Sequence, residues 1–162
     1  MGKTFSLDYI DCTNLERGKN NILGDKSEIY KTEILRNIKF PEIEGENFMS
    51  EIVLWNEVAR QGYKLRWYNE IIYICNYLED GLTVNRDRIY LRNPIAQKMM
   101  VNEMLQIDFP MKSKINTIYN YYKWWRDKKS IVEISKDINI NKFILVGTIV
   151  IGVVKSKIRR RK

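Results

Sequence analysis

The chain contains no histidine, two cysteines and three prolines in 162 residues. Without an imidazole, no His-based catalytic triad and no Cys/His metal site can be assembled within it. Cys12 and Cys75 stand far apart and offer no disulfide framework, which points to a reducing compartment, the cytoplasm. The opening residues, MGKTFSLDYID, hold no apolar core of signal-peptide length. Nor does any apolar run reach the roughly twenty residues that span a bilayer. The nearest approach is FILVGTIVIGVV at 143–154, twelve residues with only Gly and Thr among the larger apolar side chains. Two readings of this segment stay open: a buried core helix or strand, and an interfacial membrane segment whose positive flank sits on anionic lipid.

The remaining composition is that of a folded protein. A hydrophobic content of 44% over this length suffices for one cored domain, or for a small domain with a helical extension. The formal charge is +8, and Lys155, Lys157, Arg159, Arg160, Arg161 and Lys162 supply six of those charges, leaving +2 upstream. Basicity therefore reads as a property of the tail, 155–162. It argues against a nucleic-acid-binding face spread over the body and for local contact with an anionic membrane surface. A solvated tail without a role is the plain alternative.

Along the chain, the first twenty or so residues are polar and read as a loop. Ser27 to Lys31 has the pattern of a short strand, and Thr32 can cap a helical turn through TEILRNI, stopped by Phe40-Pro41. In Ser50 to Gln61, Leu54, Trp55, Val58 and Ala59 form one helical face, with Asn56, Glu57, Arg60 and Gln61 opposite. Ser50 is the expected N-cap and Gly62 the stop. Lys64 to Tyr68 and Ile71 to Tyr77 read as strands and Glu79-Asp80-Gly81 as a turn. Asn93-Pro94 opens a helix to about Ile107, INTIYNYYKWWRDKK is a further helix, and SIVE at 130–133 is a capping-box signature.

The run GDKSEIYKTEIL followed by FPEIEGENFMSEIVLWNEVARQGYKLRWYNEIIYICNYLEDGLT resembles the carboxyl-terminal half of the catalytic domain of family 2 glycosyltransferases with a GT-A fold, especially bacterial enzymes that build capsule, lipopolysaccharide or other surface glycans. The likeness covers about residues 20 to 130. It implies an α/β fold: a partial GT-A-like domain with few strands, the acceptor-side half, over 1–92, then a mainly helical extension over 93–162. In that family a pair of acids stands where a loop enters a helix followed by a pattern like LWLRLAxxGYK, and the second acid is the proposed catalytic base. Here the pair reads Ser50-Glu51 before LWNEVARQGYK, so the likeness gives Glu51 the base position, with Glu in place of Asp and Ser in place of the first acid. An inverting transfer needs one carboxylate within hydrogen-bond reach of the acceptor hydroxyl. The structural alternative is that Glu51 only complements its helix dipole, worth about 0.3–1 kcal/mol.

The resemblance further implies substrate-binding roles for Gly24, Asp25 and Lys26, near the donor diphosphate or the acceptor, and for Glu44 and Glu46 along the acceptor cleft. Trp55 reads as core, and Trp67, Tyr68, Trp124 and Trp125 as packing rather than sugar platforms. No metal ligand is expected. The family's DxD motif, which holds Mg²⁺ or Mn²⁺ against the donor diphosphate, has no counterpart in DCT, DKS, DFP or DIN, and no strand-glycine-helix phosphate cradle is present. The chain thus reads as an acceptor-side portion. Nucleotide-sugar, Mg²⁺ or Mn²⁺ and a glycan acceptor are expected only if a donor-binding half is paired with it. Two functions follow: sugar transfer to a cell-surface polysaccharide or lipid-linked precursor with Glu51 as base, or a catalytically silent assembly module peripheral to the inner face of the cytoplasmic membrane. Nucleic acid is not an expected partner.

Overall fold

The computed structural model describes residues 5–22, 24, 26–72, 74, 76, 78–79 and 81–159. The protein is mixed α/β and mainly helical, with seven α-helices and one two-stranded sheet among the described residues. Two compact units make it up, residues 1–109 and 110–162.

In the first unit, β1 (Tyr9–Cys12) pairs antiparallel with β2 (Leu65–Tyr68), with Ile10 opposite Trp67 and Asp11 opposite Arg66. The period-two alternation of strands sorts the faces. Cys12 and Trp67 turn inward to a cluster with Ile22, joined by Phe5, Ile10 and Leu65. On the outer face Arg66 donates from Nε and Nη2 to the two carboxylate oxygens of Asp11, at 2.8 and 2.7 Å. The β1 strand corrects the expectation of a loop over the first twenty residues. Only four residues long, its one local cue is a short alternation, and what makes it a strand is the distant partner. A 3-10 turn at Asn14–Glu16 follows it.

Helix α1 is Thr32–Arg36, with Lys31 rather than Thr32 in the capping position. Ser27 to Lys31 is irregular and pairs with no strand among the described residues. Helix α2 is Ile52–Arg60, begun by Glu51 and not by Ser50. It ends as expected at Gly62, whose φ of +86° is the left-handed conformation that only glycine adopts without strain. The inward face of α2 is Val53, Asn56, Val58 and Ala59, a rotation of the expected stripe that brings Asn56 inside. The reason is polar. Asn56 accepts from Asn14 Nδ2 at 2.6 Å and donates to the Glu103 carbonyl at 3.0 Å and carboxylate at 2.7 Å. A fully buried amide with these partners costs little, whereas an unpaired one costs a great deal.

Of the strand expected at Ile71 to Tyr77, no described residue lies in a strand. Residues 71, 72, 74 and 76 are irregular, and Ile71, Ile72 and Ile74 are exposed; Tyr73, Cys75 and Tyr77 lie outside the described residues. The sheet closes at Asn69, whose N–H reaches Asp8, and no described strand lies alongside to take up the next ladder of backbone groups. Helix α3 (Arg86–Arg92) was not foreseen. Helix α4 (Pro94–Gln106) begins at Asn93-Pro94 as expected and packs on α2.

The second unit consists of α5 (Met111–Trp125), α6 (Ile131–Asp137) and α7 (Lys142–Arg159). No strand follows α4 among the described residues. The SIVE capping box forms: Ser130 Oγ accepts from the Glu133 N–H at 3.2 Å, and Glu133 accepts from the Ser130 N–H at 2.8 Å. Ile118, Tyr121, Trp125, Ile134, Ile138 and Leu145 are buried. Tyr121 donates to Asp137 at 3.0 Å, where Lys129 also binds at 2.5 Å. Loss of hydration and the neighbouring Asp137 carboxylate raise the Tyr121 phenol above its ordinary range. The apolar run 143–154 is one continuous helical stretch whose Leu145, Thr148 and Gly152 are buried. A side chain at Gly152 would collide with the ring of Tyr119 on α5, so glycine there permits close helix contact.

Candidate functional site

Two clefts lie within the first unit. The larger in volume, about 670 Å³, is formed by residues 40–44 and 46–49. Glu44 stands exposed at its edge. Glu46 also borders it, but both its oxygens are engaged: they accept from the N–H groups of Ile95 at 2.7 Å and Ala96 at 2.8 Å. That carboxylate caps the first turn of α4, where four backbone N–H groups have no intrahelical partner and the dipole favours an anion. Asn93, one residue before, accepts from the N–H groups of Asn47 and Phe48 through Oδ1 at 2.8 and 3.1 Å. The 46–48 loop is thereby tied to the start of α4.

The second cleft, about 540 Å³, gathers Gly24, Lys26, Glu28, Glu51 and Trp55 around Arg17. Its size falls within the range of small-molecule sites. Arg17 is buried and builds the floor. It donates from Nε to the Ile22 carbonyl at 3.1 Å and from Nη2 to the Gly24 carbonyl at 3.0 Å, and its guanidinium lies 5.2 Å over the Trp67 ring. These bonds tie the carbonyls of Ile22 and Gly24 to Arg17 and set the backbone of Gly24 at the cleft. Glu51 arrives from the other side, at the start of α2, with an exposed carboxylate. Trp55, one turn on, is half-buried on the wall. Expected as core, it is a lining residue instead.

Glu28 is the acid that the sequence did not reveal. Its Oε1 is buried and has no hydrogen-bond partner among the described residues, and the same holds for the hydroxyl of Tyr30. Loss of hydration pushes the Glu28 carboxyl up to about 7; the Glu51 charge adds to this, while Arg17 and Lys26 oppose it. The Tyr30 phenol is raised by burial and then by the Glu28 charge. No local pattern marks Glu28, because SEIYK alternates like any solvated edge. Its burial follows from packing by residues distant in sequence.

Of the sequence-nominated residues, Gly24, Lys26 and Glu51 come together here, while Glu44 and Glu46 border the other cleft. Asp25 lies outside the described residues. Comparison with protein-family models, curated proteins and solved structures returns no match. Among the described residues no group of three or more Cys, Asp or Glu side chains is arranged to hold a metal ion.

Proposed function

We propose that the first unit is the acceptor-side part of a glycosyltransferase of the family 2, GT-A type, acting on a bacterial surface polysaccharide or lipid-linked precursor, with Glu51 as the base. The observation that carries this reading is convergence: Gly24 and Lys26 on one side and Glu51 on the other, far apart in sequence and all given site roles by the resemblance, line one cleft of small-molecule size. In this reading the exposed Glu51 carboxylate takes the proton of the acceptor hydroxyl as its oxygen attacks the anomeric carbon of the donor sugar, whose bond to the nucleoside diphosphate breaks and leaves its electron pair on the departing diphosphate oxygen. Glu28, whose carboxyl is pushed up to about 7 by loss of hydration, in its protonated form offers an O–H to a second sugar hydroxyl. Trp55 gives the pyranose ring an apolar wall, and Lys26 brings positive charge to the same cleft.

Saturation-transfer NMR of the whole chain against a panel of oligosaccharides tests the reading. Bound saccharide is expected, with affinity lowered about tenfold in E28Q/E51Q, chiefly through loss of the charge-assisted hydrogen bond to the Glu51 carboxylate. Calorimetry with nucleotide-sugar and Mn²⁺ is expected to give weak binding or none, because the sequence has no DxD pair. A panel in which no saccharide binds, or binding unchanged in the double variant, would overturn the proposal.

A second reading, a catalytically silent binding or assembly module, is favoured by the engagement of Glu46 in a helix cap. Saccharide binding without sugar transfer, in the presence of a matched donor-binding chain, would select it.

A further inference from the structure

Helix α7 is apolar around its whole circumference, yet only one stripe of it is covered. Leu145, Thr148 and Gly152, spaced by three and four residues, form that stripe. On the remaining circumference Phe143 is 73% exposed, Val150 58% and Ile158 56%, with Ile144 and Val154 exposed beside them. An apolar face of this extent on a folded chain marks a contact surface.

The charge of the second unit says what kind of surface it meets. Residues 110–162 hold fourteen Lys/Arg against three Asp/Glu, a formal +11, and residues 1–109 hold fourteen against seventeen, a formal −3. The +2 upstream of the tail is therefore a sum of opposite parts, and basicity belongs to the whole second unit rather than to the tail alone. Lys142 stands at one end of the apolar face and Lys155 and Lys157 at the other.

We propose that the exposed face of α7 seats in the interface of an anionic lipid bilayer, lying in its plane. Hydrocarbon takes the isoleucine, valine and phenylalanine side chains, and anionic headgroups take the lysines at both ends. The packed stripe against α5 replaces the polar face that a free interfacial helix would need. A second copy of the chain fits the face poorly, since it would bring two +11 units together. A phosphodiester polymer offers the negative charge but no apolar surface. No single described helix is long and apolar enough to cross a bilayer; α6 and α7 pass that test only as a pair, bent by 105° at their break. The proposal is independent of the glycosyltransferase reading.

Co-sedimentation of the full chain with vesicles tests it, using phosphatidylglycerol mixed with phosphatidylcholine, and phosphatidylcholine alone. The variant Phe143→Gln/Val150→Gln/Val154→Gln removes apolar surface at exposed positions without altering charge. Circular dichroism and thermal unfolding verify that it folds. The wild type is expected to bind the mixed vesicles, to bind phosphatidylcholine at least about tenfold more weakly, and to lose about tenfold or more in the triple variant. Lys155→Gln/Lys157→Gln is expected to weaken binding several-fold and flatten its salt dependence. Equal binding by the folded triple variant would reduce the contact to charge and overturn the proposal, as would failure of the wild type to bind mixed vesicles or equal binding to both vesicle types. Sedimentation showing a wild-type dimer that the triple variant abolishes would assign the face to a second copy and overturn it too.

Discussion

The two units solve the same problem with different chemistry. Residues 1–109 carry short elements joined by long irregular stretches, whose backbone groups need partners that secondary structure does not supply. Side chains provide many of them: Arg17 for the carbonyls of Ile22 and Gly24, Asn93 for 47–48, Glu46 for the start of α4, and Asn56 between Asn14 and Glu103. Residues 110–162 are three helices that satisfy most backbone groups internally, and their core is chiefly aliphatic and aromatic. The first unit is acidic and holds a cleft containing two carboxylates. The second is strongly basic and leaves an apolar face of α7 exposed. A polar-laced unit is expected to be sensitive to the loss of one amide or carboxylate, and a helical one to the loss of close packing.

The comparison can be broken most sharply at Asn56. Asn56→Leu leaves the Asn14 amide and the Glu103 carbonyl without their partner and is expected to cost about 2–4 kcal/mol in denaturant unfolding. A neutral outcome would mean that the first unit does not depend on its polar links. In the second unit, Gly152→Val forces a side chain into the Tyr119 ring, with an expected loss of about 1–3 kcal/mol from overpacking. Back at the first unit, Glu46→Ala uncaps α4 and is expected to cost about 1 kcal/mol. Hydrogen exchange would show it as faster exchange at the Ile95 and Ala96 amides, and unchanged rates there would remove Glu46 from its capping role.

The smallest effect is a pH dependence. The Glu28 carboxyl titrates near 4.5 when hydrated and at about 7 in the fold, so the folded state holds the extra proton between those values. Its contribution to stability is fully present below about 4.5 and is lost as pH rises to about 7. Thermal unfolding of Glu28→Gln should show a shallower decline over that window than the wild type. Parallel profiles would place Glu28 in water.

What was legible in the sequence was local. Asn93-Pro94 carries its own start signal, Gly62 its stop and Ser130-Glu133 its reciprocal cap, and each works through residues within one turn. The β2 strand was visible in the aromatic content of Lys64 to Tyr68. Its partner β1 was not, because four residues become a strand only when a distant segment aligns with them. Asn56 was placed outward because periodicity ranks amides with the solvent face, whereas a buried amide is decided by what lies opposite. The same holds for Glu28, whose environment is built by Arg17 and Glu51. Charge was visible as a total, but its division into −3 and +11 required the boundary at residue 109. Glu51 was found through family resemblance, and Trp55 was assigned to core because its helix neighbours are apolar.

The most direct measurement on the central claim, that the Glu28 and Glu51 cleft receives a sugar acceptor, is carboxyl ¹³C NMR of these two side chains through a pH titration, with and without the saccharide found in the binding screen. The expected result is a Glu28 midpoint at about 7 and movement of both resonances on saccharide addition, each abolished by the corresponding Gln substitution. A Glu28 midpoint at about 4.5, with neither resonance responding to saccharide, would contradict both the geometry of the cleft and the function proposed for it.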